Sequence, residues 1–183
     1  MNQAEIRTEK IRSKIREIPD WPKPGILFRD ITTLWNDAEG FRLSIDAFAE
    51  YYAGLNFDCI VGIESRGFII GAALADRMNK GFIPVRKKGK LPHHVERYEY
   101  QLEYGTDCVE VHKDAIKPGQ KVILMDDLMA TGGTMNASII LLQKIGAVVS
   151  SCGVIVDLPD LGGSDRIRKN GIEVHSIVNY PGH

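Results

Sequence analysis

The chain of 183 residues contains 44% hydrophobic and 26% charged residues, and its formal net charge is -1. This composition predicts one globular domain over residues 1–183, and a charge near zero argues against a nucleic-acid-binding surface, which needs a basic excess. No apolar run approaches the ~20 residues of a membrane-spanning helix, and residues 1–18 contain no secretory apolar segment. We therefore expect a cytoplasmic protein that binds neither membranes nor nucleic acid.

The N-terminal part is predicted to contain two helices separated by a proline-rich loop. Isoleucines at helical spacing predict a helix over residues 5–18. Prolines exclude helix between Asp20 and Gly25, which are therefore predicted to lie in a loop. Aromatic and apolar residues at helical spacing then predict a second helix over residues 38–53.

From residue 59 onwards, short apolar strands alternate with helices. The predicted strands are residues 59–63, 82–85, 121–125, 148–156 and 172–178. The predicted helices are residues 68–78 and 134–145, and residues 163–169 are helical or irregular. Apolar strands that alternate with helices are typical of a parallel sheet covered on both faces. We predict a doubly wound α/β fold with a mainly parallel sheet flanked by helices, in which ligands bind beyond the carboxyl ends of the strands.

Residues 91–111 interrupt this alternation. Tyr98, Tyr100 and Leu102 alternate with polar residues before Gly105, and a period-two pattern resumes after it. Such alternation around a turn predicts an antiparallel hairpin. Because long insertions at the carboxyl end of a sheet are often lids, we predict that this hairpin is one.

Two adjacent acids, Asp126 and Asp127, follow the apolar strand and precede a loop of small residues that leads into a helix. The loop residues are Ala130, Thr131, Gly132, Gly133 and Thr134. Glycines let backbone N–H groups point at an anion, threonine hydroxyls add donors, and the helix N-terminus supplies a favourable dipole. The loop is therefore predicted to bind one phosphate monoester. The acids would repel that phosphate, so they suit neighbouring hydroxyls or a divalent cation, and the combination describes a ribose 5-phosphate.

Other interpretations of this segment are weaker. A plain strand–turn–helix with an Asp as the N-cap would not need the acid pair, the threonines and the glycines together. A nucleoside triphosphate loop of the form G-x-x-x-x-G-K-[ST] does not occur in the chain. Neither does a G-x-G-x-x-G motif after a strand, which argues against a dinucleotide.

The strand, the acid pair and the loop resemble the phosphoribosyl pyrophosphate motif of the type I phosphoribosyltransferases, and residues 126–134 look most like the adenine-specific branch. The resemblance implies an enzyme that joins adenine to phosphoribosyl pyrophosphate, giving AMP and diphosphate in purine salvage. It implies that Asp126 and Asp127 hold the ribose hydroxyls and that residues 130–134 hold the 5-phosphate. It further implies a homodimer and a Mg²⁺ cofactor, held mainly by substrate and water without a direct protein ligand.

A second strand-to-helix junction is similar to the family's pyrophosphate loop through Ser65, Arg66 and Gly67. An arginine on a tight turn can present its guanidinium group to phosphate oxygens. The resemblance assigns Arg66 a catalytic role and implies a cis peptide bond between Glu64 and Ser65. The alternatives are a surface ion pair for Arg66 and an ordinary trans turn.

A basic segment over residues 86–90 is the third candidate contact with the pyrophosphate. By resemblance we favour Arg86 and Lys90 over Lys87. The alternative is a solvated run of charges after a strand.

The adenine pocket is assigned by resemblance to an N-terminal hood over about residues 16–35. Phe28 suits stacking on a purine, and backbone groups around Leu27 and Arg29 could pair with the base edge. In the lid, Glu103 corresponds to a catalytic acid near the base and ribose, and Tyr104 to a residue that closes the site. The alternative for these positions is that Phe28 belongs to the core and Glu103 is an exposed carboxylate.

Two rival functions remain open at this stage. Within the same fold, the base could be another purine, although the hood and residues 102–105 argue against it. In a different class, the domain could be a non-catalytic sensor of phosphoribosyl pyrophosphate. Such regulators usually carry a DNA-binding domain and a basic face, and neither is found in this sequence.

Overall fold

The structure is a computed structural model that describes residues 2–102 and 105–181. Within those residues the helices are α1 Gln3–Arg12, α2 Thr32–Asn36, α3 Ala38–Tyr52, α4 Arg66–Arg77, α5 Gly133–Lys144 and α6 Gly163–Lys169, and a short 3-10 helix spans Pro159–Leu161. The strands are β1 Arg16–Pro19, β2 Leu27–Asp30, β3 Cys59–Ile63, β4 Gly81–Lys87, β5 Val95–Leu102, β6 Gly105–His112, β7 Lys121–Met129, β8 Val148–Asp157 and β9 Glu173–Asn179. None of the described helices combines the length and the apolar character that a bilayer crossing requires.

The main sheet has seven strands in the order β5-β6-β4-β3-β7-β8-β9. The five strands from β4 to β9 in this order run parallel to their neighbours, whereas β6 pairs antiparallel with both β4 and β5. Every residue of the central strand β3 is buried, because helices cover both faces. The predicted doubly wound, mainly parallel sheet flanked by helices is confirmed, and the carboxyl ends of its parallel strands share one edge.

The predicted helix over residues 5–18 is wrong in its second half. Helix α1 ends at Arg12, and β1 pairs antiparallel with β2 in a separate two-stranded sheet. Arg16 and Asp30 face each other in this pairing, with Arg16 Nε 3.0 Å from Asp30 Oδ2. Ile11 and Ile15 are both buried. The isoleucine spacing therefore reflects burial, first on the helix and then in the turn after it, and not one continuous helix.

The predicted hairpin is present, and its base is part of the main sheet. Strand β6 pairs with β4 through Arg86 opposite Glu110 and Lys87 opposite Val109. Val109 and Val111 are buried in the core. The base of the insertion therefore extends the main sheet, and its role as a lid stays a prediction.

Glu110 joins the hairpin to the basic segment that follows β4. Its buried carboxylate accepts hydrogen bonds of 2.9 Å from the backbone N–H groups of Lys90 and Leu91 and from Arg97 Nε. Burial raises the pKa of Glu110, but the hydrogen bonds from Leu91 and Arg97 outweigh burial and hold the pKa below its ordinary value. One ionised carboxylate thereby fixes the direction in which the basic segment leaves the sheet.

We expect Glu110→Gln to lower the free energy of unfolding by about 1–3 kcal/mol, because its amide group would turn N–H donors towards other buried donors. Glu99→Gln is the matched control, since Glu99 lies on the same hairpin in an exposed ion pair with Lys88. Its substitution should change stability little. Urea denaturation at neutral pH measures both variants. Equal effects of the two substitutions would contradict this role of Glu110.

Candidate active site

The predicted phosphate loop lies at the carboxyl end of β7 and leads directly into α5. Gly132 has φ +76 and forms the N-cap position of the helix. A Cβ atom on Gly132 would lie 3.0 Å from the Cα of Gly163, so both the backbone conformation and the space favour glycine. The loop and the end of β7 enclose a cavity of about 140 Å³. Its lining residues are Asp126, Leu128, Met129, Ala130, Thr131, Gly132, Gly133, Thr134 and Met135.

The acid pair lies inside β7, because the strand continues to Met129 and does not end at residue 125 as predicted. Asp126 pairs with Val154 of β8, so β7 continues through this acidic residue. The alternative in which an acid caps α5 is excluded by Gly132 at that position. Burial, together with the charge of Asp127, raises the pKa of Asp126 well above its ordinary value.

The predicted pyrophosphate loop lies against the acid pair. The peptide bond between Glu64 and Ser65 is cis, as predicted. A Cβ atom on Gly67 would lie 2.6 Å from the Met125 carbonyl oxygen, so only glycine permits this approach. Arg66 begins α4, and its Nε lies 2.8 Å from Asp127 Oδ2. The two predicted loops therefore meet at one edge of the sheet.

The basic segment is held by Glu64, the residue before the cis bond. Its Oε2 accepts hydrogen bonds from the Lys87 backbone N–H at 2.8 Å and from Arg86 Nε at 3.3 Å. Burial raises the pKa of Glu64, but these two hydrogen bonds outweigh burial and lower it overall. Arg86 also donates to the Lys90 carbonyl oxygen at 3.0 Å. Lys90 itself is exposed. The segment thus lies next to the pyrophosphate loop, as its predicted role requires.

The hood residues Leu27, Phe28 and Arg29 lie on β2. The half-buried Phe28 ring packs edge-to-face against Trp21, with ring centroids 4.5 Å apart. Arg29 is buried, pairs with Glu17 and lies 4.1 Å above the centre of the Tyr180 ring. The Arg29 side chain is therefore occupied by contacts with Glu17 and Tyr180, and only the Arg29 backbone groups remain to bind a base. Among the described residues, no hydrogen bond or ion pair joins Leu27, Phe28 or Arg29 to the phosphate loop.

Two predicted lid residues, Glu103 and Tyr104, lie outside the described residues. Sequence reasoning missed Tyr100 and Asp107, two hairpin residues near the phosphate loop. The Tyr100 hydroxyl lies 3.0 Å from Thr134 Oγ1 and 3.1 Å from Asp107 Oδ2, and Lys87 pairs with Asp107. The resemblance names Lys87 as a candidate contact with the pyrophosphate but favours Arg86 and Lys90 over it. The only signal in the sequence was the place of Tyr100 in a period-two pattern. That pattern predicts a strand but does not indicate a contact with the phosphate loop.

Comparisons with known proteins agree with this arrangement. The family model of the phosphoribosyl transferase domain matches residues 37–179. The chain is 56% identical to the adenine phosphoribosyltransferase of Pelodictyon phaeoclathratiforme over 174 residues, which cover 94% of this chain and 98% of that protein. The crystal structure of the adenine phosphoribosyltransferase of Thermoanaerobacter pseudethanolicus superimposes with a TM-score of 0.89 at 47% identity, covering 94% of this chain and 99% of that one. That of Saccharomyces cerevisiae, complexed with an imino-altritol bisphosphate and adenine, gives 0.88 at 34% identity, covering 95% and 99%.

We expect Asp126→Asn to stabilise the protein above about pH 5, because the folded state then no longer buries a carboxylate. Asn keeps the oxygen that accepts the Asp127 backbone N–H at 2.9 Å. The folded-state pKa of Asp126 is raised, so the folded protein loses stability as the pH rises from the unfolded-state value of about 3.9 through the folded-state value.

The difference in Tm between the variant and the wild type should therefore grow across that interval and then level off. The Tm difference should reach about 2–4 °C for each kcal/mol of destabilisation that the substitution removes. Thermal denaturation between pH 4 and pH 8 measures it, with the exposed Asp165→Asn as the control. A Tm difference that does not change with pH would show that burial of the Asp126 charge costs nothing.

Proposed function

The chain belongs to the adenine phosphoribosyltransferases of the phosphoribosyl transferase domain family, and on that basis we propose how its predicted site residues act in the reaction. The enzyme joins adenine to phosphoribosyl pyrophosphate and releases AMP and pyrophosphate, a reaction of purine salvage. The observation that supports the proposed roles best is the contact between the two loops. Arg66 lies 2.8 Å from Asp127, and Asp127 adjoins the phosphate-loop cavity through Asp126.

The acid pair and the phosphate loop would hold the ribose 5-phosphate. Asp126 and Asp127 would accept hydrogen bonds from the 2- and 3-hydroxyl groups, while the N–H groups of residues 130–134 and the hydroxyls of Thr131 and Thr134 would bind the 5-phosphate. The cavity of about 140 Å³ supports these roles, because Asp126 and the loop residues line the same cavity.

The pyrophosphate would bind beside the acid pair, at Ser65, Arg66 and Gly67. The Arg66 side chain is about half exposed, and its guanidinium group carries further N–H donors besides the Nε that faces Asp127. Arg86 and Lys90 would add positive charge, since Glu64 holds the basic segment against this loop. The pyrophosphate is the leaving group, so these cations would stabilise the charge that develops on it in the transition state.

The reaction would be a displacement at the anomeric carbon, in which N9 of adenine attacks while the pyrophosphate leaves from the opposite face. Positive charge develops on the ribose, and the carboxylates of the acid pair would stabilise that charge. Phe28 would stack on the base, and backbone groups of Leu27 and Arg29 would read its edge. By resemblance, Glu103 would accept the N9 proton or stabilise the cationic ring, and Tyr104 would close the site.

We also propose Mg²⁺ as the cofactor. Among the described residues, no group of three or more acids, histidines or cysteines is arranged to hold a metal ion. The two carboxylates of the acid pair are assigned to the ribose hydroxyls, and Asp127 is also paired with Arg66. The site therefore fits an ion without a direct protein ligand, held mainly by pyrophosphate oxygens and water, as Mg²⁺ is with substrate phosphates. When bound, Mg²⁺ would neutralise charge on the leaving pyrophosphate. A homodimeric assembly remains a prediction from the resemblance, and a location in the cytoplasm remains a prediction from the sequence.

With phosphoribosyl pyrophosphate and Mg²⁺, we expect AMP synthesis from adenine to exceed IMP synthesis from hypoxanthine by roughly 10³-fold or more in kcat/KM. A site built to pair with the amino group of adenine leaves buried polar groups unpaired with hypoxanthine. Steady-state kinetics with adenine, hypoxanthine and guanine measure this selectivity. Comparable values for adenine and hypoxanthine would contradict the proposed base pocket and leave the fold unaffected.

We expect Asp126→Asn and Asp127→Asn each to lower kcat/KM for phosphoribosyl pyrophosphate by roughly ten- to a hundredfold. A hydrogen bond to a charged group contributes ~1.5–3 kcal/mol, and each variant weakens at least one. Asp165→Asn, which changes an exposed acid on α6, should retain wild-type kinetics. Wild-type values in both acid-pair variants would show that these residues do not hold the ribose.

A further inference from the structure

Four side chains from separate segments form a hydrogen-bonded chain beside the phosphate loop. The Tyr100 hydroxyl lies 3.0 Å from Thr134 Oγ1 and 3.1 Å from Asp107 Oδ2. The Lys87 ammonium group pairs with Asp107 and lies 3.4 Å from the Tyr100 oxygen. Tyr100 is 9% exposed, whereas Lys87 and Asp107 are half-buried. It joins β4, the hairpin and the phosphate loop through side chains alone.

The groups themselves limit how the protons are arranged. A carboxylate only accepts and an ammonium group only donates, whereas Tyr100 and Thr134 have one hydroxyl proton each. Burial raises the pKa of Asp107, but the hydrogen bonds from Lys87, the Cys108 backbone N–H and Tyr100, together with the Lys87 charge, lower the pKa overall, so the group is ionised at neutral pH. In one arrangement, Tyr100 donates to Asp107 and Thr134 donates to Tyr100. The Thr134 proton then points away from the loop.

A second arrangement directs that proton into the loop. Thr134 then donates its hydroxyl proton to a phosphate, and its oxygen accepts a hydrogen bond from Tyr100. Asp107 loses its hydrogen bond from Tyr100 but keeps its ion pair with Lys87. Lys87 makes this arrangement accessible, because the half-buried Asp107 carboxylate is never left without a charged partner. A phosphate in the loop favours the second arrangement, since an anion attracts donors.

We propose that Tyr100 is a positioning residue that reverses its hydrogen bond when a 5-phosphate binds, donating to Thr134 and no longer to Asp107. A hydrogen bond from Thr134 to an anion polarises the hydroxyl chain and strengthens the contact between Tyr100 and Thr134. Because Tyr100 lies on β5, the hairpin is then held more firmly against the phosphate loop. Phosphate binding and hairpin docking are thereby coupled, and each favours the other. This inference rests on the proposed binding of the 5-phosphate by residues 130–134.

Hydrogen exchange with saturating ribose 5-phosphate, which lacks both the pyrophosphate and the base, tests the coupling. The ligand should slow amide exchange in residues 130–134 of the wild type, Tyr100→Phe and Tyr98→Phe. In β5 and β6 it should slow exchange in the wild type and in Tyr98→Phe, but not in Tyr100→Phe. Tyr98 is the matched control, because it lies two residues earlier on the same face of β5 and packs against the core.

The two parts of the result separate this inference from the proposed function. If the wild type shows no slowing in residues 130–134, the proposed phosphate site is wrong and the inference fails with it. If that slowing is present but Tyr100→Phe retains the slowing in β5 and β6, the coupling through Tyr100 is wrong and the phosphate site remains.

A double-mutant cycle tests the same contact from the side of Thr134. Calorimetry should give a Kd for ribose 5-phosphate that is raised roughly three- to tenfold in Tyr100→Phe. Thr134→Val should raise it at least as much, and the double variant should bind no more weakly than Thr134→Val alone, because one hydrogen-bonded chain is removed in each case. Additive losses would overturn the proposal, as would an unchanged Kd in Tyr100→Phe. A purely structural role would instead lower the Tm of Tyr100→Phe and leave the two substitutions additive.

Discussion

The close approach of two strand-to-helix loops at the carboxyl edge of the sheet is the constraint on which the site depends. Gly67 brings the start of α4 against β7, where a Cβ atom would lie 2.6 Å from the Met125 carbonyl oxygen. Arg66 can then reach Asp127 at 2.8 Å, and the phosphate loop begins only three residues later, at Ala130. Any side chain at position 67 would separate the two loops. The distance between the two loops is therefore set by backbone packing and not by flexible side chains.

Most of the cations near this site are held in place by carboxylates. Glu64 and Glu110 bind backbone N–H groups of the basic segment, and Asp107 pairs with Lys87. An anion-binding site needs cations, but lysine and arginine side chains lose conformational entropy when a ligand orders them. Fixing the segment through its backbone reduces that loss before any ligand binds. In the proposed site, the acids of the hairpin and the pyrophosphate loop would thus contribute to anion binding although they would repel an anion directly.

Much of the site could be predicted from local sequence, because its parts are short segments with a fixed order of residue types. The strand over residues 59–63, the loop over residues 130–134 and the cis bond before Ser65 are all found where they were predicted. The predictions failed where a polar or apolar pattern had two explanations. The helix over residues 5–18 ended early because β2 pairs with its second half, and β7 continued through two acids because β8 lies beside it.

The sequence by itself determined the fold class, the positions of the two strand-to-helix loops and the family, since these depend on hydrophobic periodicity and on contiguous residue types. Only the tertiary structure decided which loops touch and which side chains share protons. Residues 87, 100, 107 and 134 come from four segments, and no spacing in the sequence indicates that they meet. Their contact follows from the antiparallel pairing of β6 with β4, which brings the hairpin against α5. Strand pairing is determined by long-range contacts, because it depends on burying apolar surface over the whole sheet rather than on any local pattern.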